Sequence, residues 1–188
     1  WQEREGKKRS THSRMLMPIF NVEELSDAII QVCGEFRWEM CKTEQGVHWN
    51  DLSEPSLTAE YSDYLQYFRK NQSLNPEQRE KVKKVLQKCS NNYKRVFVAD
   101  YLTYLKYESK GALRLNKVAR EILFSYCPFG SKGREVIGQN PQYQPLINRM
   151  NNKQGQKARP ISNIKQKLEN KGEAFPEELE RELGFYRM

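Results

Sequence analysis

The chain has 188 residues, with 32 Lys and Arg against 24 Asp and Glu and a formal net charge of +8. Its mean hydropathy of −0.91 is polar, yet 10 Tyr, 8 Phe and 3 Trp are more aromatic side chains than a coreless chain has use for. The longest apolar runs, residues 15–20 and 96–99, are far too short to cross a bilayer, so no integral membrane segment is expected.

The first residue is Trp1, and the charged start lacks the apolar stretch of a secretory leader. The chain therefore reads as part of a larger intracellular, cytoplasmic protein. Residues 1–14 hold Arg4, Lys7, Lys8, Arg9 and Arg14 against Glu3 and Glu5 with no apolar period, the pattern of a basic arm. Residues 15–20 are expected to anchor the end of that arm on the core. Asn21 followed by Glu24 is a capping box opening a first helix. Its apolar stripe runs through Val22, Leu25, Ile29, Val32, Cys33, Phe36 and Met40, and Gly46 marks its end.

After a polar loop over 48–55, a second helix is predicted over 57–70 with Tyr61, Tyr64, Leu65 and Phe68 on one face. Asn75, Pro76 and Glu77 open a third: cap, pre-set φ and an acid in the first turn. Val82, Val85, Leu86 and Cys89 form its stripe. A fourth carries Tyr93, Val96, Phe97, Tyr101, Tyr104 and Leu105 up to Gly111, and a fifth Leu115, Val118, Ile122 and Leu123 up to the break at Cys127 and Pro128. Asp63, Tyr64, Leu65 and Tyr67 match Asp100, Tyr101, Leu102 and Tyr104 in order. The match reads as a duplicated helical hairpin, or as two amphipathic helices alike by chance.

From Gly130 onward, Gly133, Gly138, Pro141 and Pro145 punctuate a loop-rich stretch. A short helix is predicted over 142–151, then a polar linker over 151–155. Residues 148–171 hold seven cations against Glu169, with Ile161, Ile164 and Leu168 at helical spacing. Phe175, Pro176 and Glu177 open a last short helix, with Leu179 and Leu183 inward and Gly184 as its stop. The expected architecture is an all-α bundle of about five core helices over 15–147. A basic arm (1–14) precedes it, and a basic-then-acidic extension (148–188) with one or two short helices follows. Charge follows that division, because the arm and residues 148–171 together exceed the whole, leaving the centre nearly neutral.

The residues that carry chemistry are sparse. Cys33, Cys41, Cys89 and Cys127 form no CxxC pair and only His12 and His48 accompany them, so free thiols in a reducing compartment are expected, with no metal or cofactor. No Gly-rich phosphate loop, HExxH or GxSxG is present. Glu35, Glu39, Glu60 and Asp63 are acids one turn apart on two helices, but they lack the histidines of a di-metal bundle site.

Within the run from Glu35 to Glu39, Trp38 lies off the apolar stripe. It marks either a second buried face or an exposed anchor. The leading expectation is a non-catalytic interaction module whose contacts with a protein partner are made by Trp38, Trp49 and Arg37 together with the basic extension. The alternative is a nucleic-acid-binding domain using Lys153, Lys157, Arg159, Lys165 and Lys167. A third reading, an enzyme, requires a cleft that brings together Glu35, Glu39 and His48. Oligomeric state is left open.

Overall fold

A computed structural model describes residues 24–70 and 75–187. Within them the chain is all-α, with eight α-helices and no strand among the described residues. They are α1 (Leu25–Gln45), α2 (Leu57–Lys70), α3 (Pro76–Lys88), α4 (Tyr93–Lys106), α5 (Lys117–Tyr126), α6 (Ser131–Ile137), α7 (Gln144–Lys171) and α8 (Glu177–Arg187). The arm over 1–14, the apolar run over 15–20 and the cap at Asn21 lie outside the described residues. The described chain divides into two compact units, one holding α1 to α5, the other Ser109–Gly111 with α6 to α8.

In the first unit the start of α3 follows the capping chemistry expected of it. The Asn75 side chain accepts from the Glu77 amide at 2.9 Å with Pro76 at the first helical position; at α4 the Asn92 side chain, not singled out in the sequence, accepts from the Arg95 amide at 3.2 Å. The aromatic face of α2 is buried at Tyr61, Tyr64, Leu65 and Phe68, as its spacing predicts. Trp38, Tyr61 and Phe97 meet at the centre, with ring centroids 6.3 Å (Trp38–Tyr61), 5.3 Å (Trp38–Phe97) and 5.3 Å (Tyr61–Phe97) apart. Aromatic pairs at such spacings add about 0.5–1.5 kcal/mol each beyond the area they bury.

The first helix departs from its predicted orientation. Its apolar stripe faces outward: Leu25 is 53% exposed, Ile29 38%, Phe36 41% and Met40 42%. The buried positions are Gly34 and Trp38, on the opposite side. Two physical facts set that choice. Trp38 is the largest apolar side chain of the helix, and it goes inside at 3% exposure. Gly34 lets α1 and α4 come close, since a Cβ there would lie 3.0 Å from the Tyr101 ring.

The matched segments lie in α2 and α4, which pack on α3 and α5 respectively. The paired side chains occupy different environments, however. Tyr104 is fully buried where Tyr67 is half exposed, and Leu65 is buried where Leu102 is only partly so.

In the second unit, α7 runs 28 residues without interruption, through the predicted linker over 151–155 and through Pro160. Asn151, Asn152 and Gly155 are weak helix formers, but each costs no more than about 1 kcal/mol. Packing of α8 on α7, with Leu146, Ile161 and Leu183 buried, outweighs that. Pro160 leaves the Gln156 carbonyl without its usual amide partner. Ile164, expected inward, is 44% exposed. Gly172, with φ 73°, closes the helix in the left-handed conformation that glycine tolerates.

Candidate functional site

The first unit contains a cleft of about 420 Å³ bounded by α2, α3, α4 and the entry to α5. Tyr64 and Leu65 come from α2, Val82 and Val85 from α3, and Val96 and Asp100 from α4. Arg114, Leu115, Asn116 and Lys117 supply the remaining wall, and Lys81 stands at the rim. An apolar interior with a few convergent polar groups is the usual make-up of a binding pocket.

A buried carboxylate holds the wall at α5 in place. Glu108 accepts from the backbone amides of Arg114 (2.9 Å) and Leu115 (2.7 Å). The Arg120 guanidinium donates to both of its oxygens, at 2.7 and 3.0 Å, and to the Leu115 carbonyl at 3.0 Å. Both side chains are shut away from solvent, Glu108 at 0% and Arg120 at 5%. Asn116 caps α5 by accepting from the Val118 amide at 2.9 Å. Arg114 lies over the Tyr107 ring at 3.9 Å, which fixes one of the rim cations.

Asp100 sits at the back of the cleft and accepts a hydrogen bond from the Tyr61 hydroxyl. Burial pushes its carboxyl up to about 6, against the opposing pull of the Tyr61 bond and with a smaller push from Glu108. Tyr64 beside it is raised above the ordinary phenol range by burial and by Asp100. For Asp100 the folded state holds a proton that the unfolded state has already lost between pH 4 and pH 6. Stability therefore falls as pH rises through that window. Asp100→Asn should remove this loss. Its melting temperature minus that of the wild type should grow between pH 4 and pH 6 and level off above, a gain on the order of 3 kcal/mol across the window. Thermal unfolding across that pH range checks this; a constant difference would contradict it.

Charge gathers around α3. Among the described side chains of this helix only Val82 and Leu86 are buried, and Lys81, Lys83, Lys84 and Lys88 are exposed. On the side away from the cleft, a second cavity of about 460 Å³ carries Arg69, Arg79 and Lys83 around Phe68 and Leu86, with Glu80 the acid among them. Lys81 pairs with Glu77 at 3.0 Å and Lys83 with Glu80 at 3.9 Å, all exposed side chains. Such pairs hold each other weakly and exchange readily for an external anion.

The residues singled out in the sequence fall elsewhere. Trp38 is buried in the aromatic core, so the second-buried-face reading describes it and it offers no exposed anchor. Trp49 is half-buried, edge-on to Trp38 with centroids 6.5 Å apart, and Lys42 lies 5.2 Å from its ring. The Arg37 guanidinium donates to the Tyr126 carbonyl at the last residue of α5, an end that attracts cations. On α7, Lys153, Lys157, Arg159 and Lys167 are exposed. Lys165 is half-buried and bound to Glu180 at 2.7 Å, and Lys157 lies 5.8 Å from the Tyr186 ring.

Glu39 pairs with Lys94 at 2.8 Å, while His48 is exposed and 3.5 Å from Asp51. Neither they nor Glu35 line the cleft. The Ser53 amide holds Asp51 below the usual carboxylate range, with His48 a lesser contributor. Among the described residues no three His, Cys, Asp or Glu side chains are grouped to hold a metal ion.

Sequence reasoning does not single out Lys81, Asp100, Arg114 and Lys117 of the cleft, because a near-neutral total over 15–147 conceals them. The signal within that total is α3 itself, whose 13 residues include Arg79, Lys81, Lys83, Lys84 and Lys88 against Glu77 and Glu80.

The family model described as Domain of unknown function (DUF8509) matches residues 46–185. The chain belongs to this family. The DUF8509 region takes in every residue that lines the cleft and ends within α8, leaving α1 outside it. Neither a curated protein nor a solved structure matches the chain.

Proposed function

We propose that this DUF8509 chain is a non-catalytic, cytoplasmic interaction module. Its cleft receives a short acidic segment of a partner protein that also bears apolar side chains. The observation that carries this reading is the make-up of the cleft. Leu65, Val82, Val85 and Leu115 offer an apolar interior, and Lys81, Arg114 and Lys117 stand around it. Apolar side chains of the partner gain by burial there. Its carboxylates meet cations that steer encounter and fix register. A cytoplasmic setting is supported by the free thiols of Cys33, Cys41, Cys89 and Cys127. No helix among the described residues is long and apolar enough to cross a membrane.

The test uses a labelled peptide alternating glutamate with leucine. Reversing the rim with Lys81→Glu, Arg114→Glu and Lys117→Glu is expected to weaken its binding by about tenfold or more, read by fluorescence anisotropy. These side chains are exposed, so the melting temperature should stay within a few degrees of the wild type. Undiminished binding by the folded triple variant would sink this reading.

A second reading, nucleic-acid binding, is favoured by the exposure of Lys153, Arg159 and Lys167 along one continuous helix. Under that reading, replacing those three by alanine flattens the dependence of log affinity on log salt for duplex DNA, by about 0.9 for each phosphate that is no longer neutralised. A duplex that fails to bind at low salt would remove it.

A further inference from the structure

We propose that the second cavity beside α3 binds a phosphate monoester carried on an apolar or aromatic group. At 100° per residue, positions 76, 79, 80, 83, 86 and 87 fall within an arc of about 120°, one face of α3. All six line this cavity, whereas Lys81, Val82 and Val85, which line the cleft, fall outside that arc. The site is therefore separate from the one that receives the partner segment. Its volume of about 460 Å³ is that of a small-ligand pocket.

Unpaired charge selects the ligand's head. Arg69, from the last turn of α2, and Arg79, from α3, line the same cavity. Neither has an ion-pair or hydrogen-bond partner among the described residues. Lys83 has only Glu80, at 3.9 Å, and both of those side chains are more than half exposed. Arg69, Arg79 and Lys83 against Glu80 leave the lining with two positive charges in excess. A phosphate monoester brings about −1.5 to −2 at pH 7, together with three strong acceptor oxygens. Guanidinium forks address such oxygens in pairs through charge-assisted bonds. A carboxylate has one charge and two oxygens, so it would leave one of the two forks unused.

The apolar wall selects the ligand's body. Phe68, Pro76 and Leu86 line the cavity together with its cations. Inorganic phosphate leaves that wall bare, whereas the body of an organic phosphate covers it and gains by burial. Asn91 completes the lining from the turn between α3 and α4. Its φ of 55° is in the left-handed region, which Asn tolerates better than most residues, and its backbone amide donates to the Leu86 carbonyl at 2.7 Å. That turn sets a side-chain amide, a neutral donor for a phosphate oxygen, at the cavity.

Titration of the full chain with phenyl phosphate, read by backbone amide shifts, tests the proposal. Saturable changes are expected at Arg69, Arg79, Lys83 and Asn91, with binding at least about tenfold tighter than that of inorganic phosphate. Arg69→Gln and Arg79→Gln together should weaken phenyl phosphate by about tenfold or more. Neither arginine is buried or paired, so the melting temperature should stay within a few degrees of the wild type. Equal binding of the two phosphates, undiminished binding by the folded double variant, or shifts confined to the lysines of α7 would each overturn the proposal. A tyrosine-phosphorylated peptide and a nucleoside monophosphate both carry this chemistry. The one that displaces phenyl phosphate at the lower concentration identifies the source, and displacement by neither would also overturn the proposal.

Discussion

Replacing Glu108 with alanine is expected to lower the unfolding free energy of the first unit by about 3–5 kcal/mol. The reason lies in what remains behind. Arg120 is 5% exposed, and without Glu108 it is a buried guanidinium deprived of the carboxylate that both its Nε and its Nη2 address. The amides of Arg114 and Leu115 lose their acceptor at the same time. Because both residues line the cleft, binding of the acidic peptide should fail together with stability.

Glu108→Gln separates the two contributions. It keeps the shape and an acceptor but removes the charge, so its cost should be smaller, on the order of 1–3 kcal/mol. Denaturant unfolding followed by tryptophan fluorescence reads both variants, since Trp38 and Trp49 belong to this unit. If Glu108→Ala unfolds within about 1 kcal/mol of the wild type, the pair is not what holds the wall.

Trp38→Ala should be comparably severe, at about 3–5 kcal/mol. The indole fills the space between Tyr61, Phe97 and Trp49, and no neighbour can collapse into a cavity of that size without breaking ring contacts of its own. Trp38→Phe keeps an aromatic there and should lose less than half as much. A Trp38 acting as a surface anchor would give the opposite pattern, with stability untouched and partner binding abolished. Equilibrium unfolding of the two variants distinguishes these outcomes.

Much of the fold is legible in the sequence because local chemistry decides it. The cap at Asn75, Pro76 at a helix start and the aromatic face of α2 each act within a few residues. Two features depend on tertiary contacts and are not legible that way. The stripe of α1 has helical period, but periodicity does not say which of two apolar faces goes inside. Gly34 against Tyr101 and the bulk of Trp38 decide that, across a helix pair distant in sequence. The continuity of α7 through Asn151, Asn152 and Gly155 likewise rests on α8, which the local propensities do not contain.

The cleft is hidden from the sequence for a similar reason. Its cations come from α3 and from the segment before α5, and only folding sets Lys81 beside Arg114 and Lys117. Asp100 gives no sign in the sequence of its place behind the Tyr61 hydroxyl. The exposed lysines of α7 are visible as a charge run, but Lys165 is spoken for by Glu180, an acid from the next helix.

On the proposed function, partner recognition lies in the α2–α5 cleft. Backbone amide shifts of the full chain, followed while the glutamate–leucine peptide is titrated in, test it most directly. The expected result is a saturable set of changes at Tyr64, Lys81, Val85, Asp100, Arg114 and Lys117. Changes confined to α7, or a response to duplex DNA with none to the peptide, would contradict the claim.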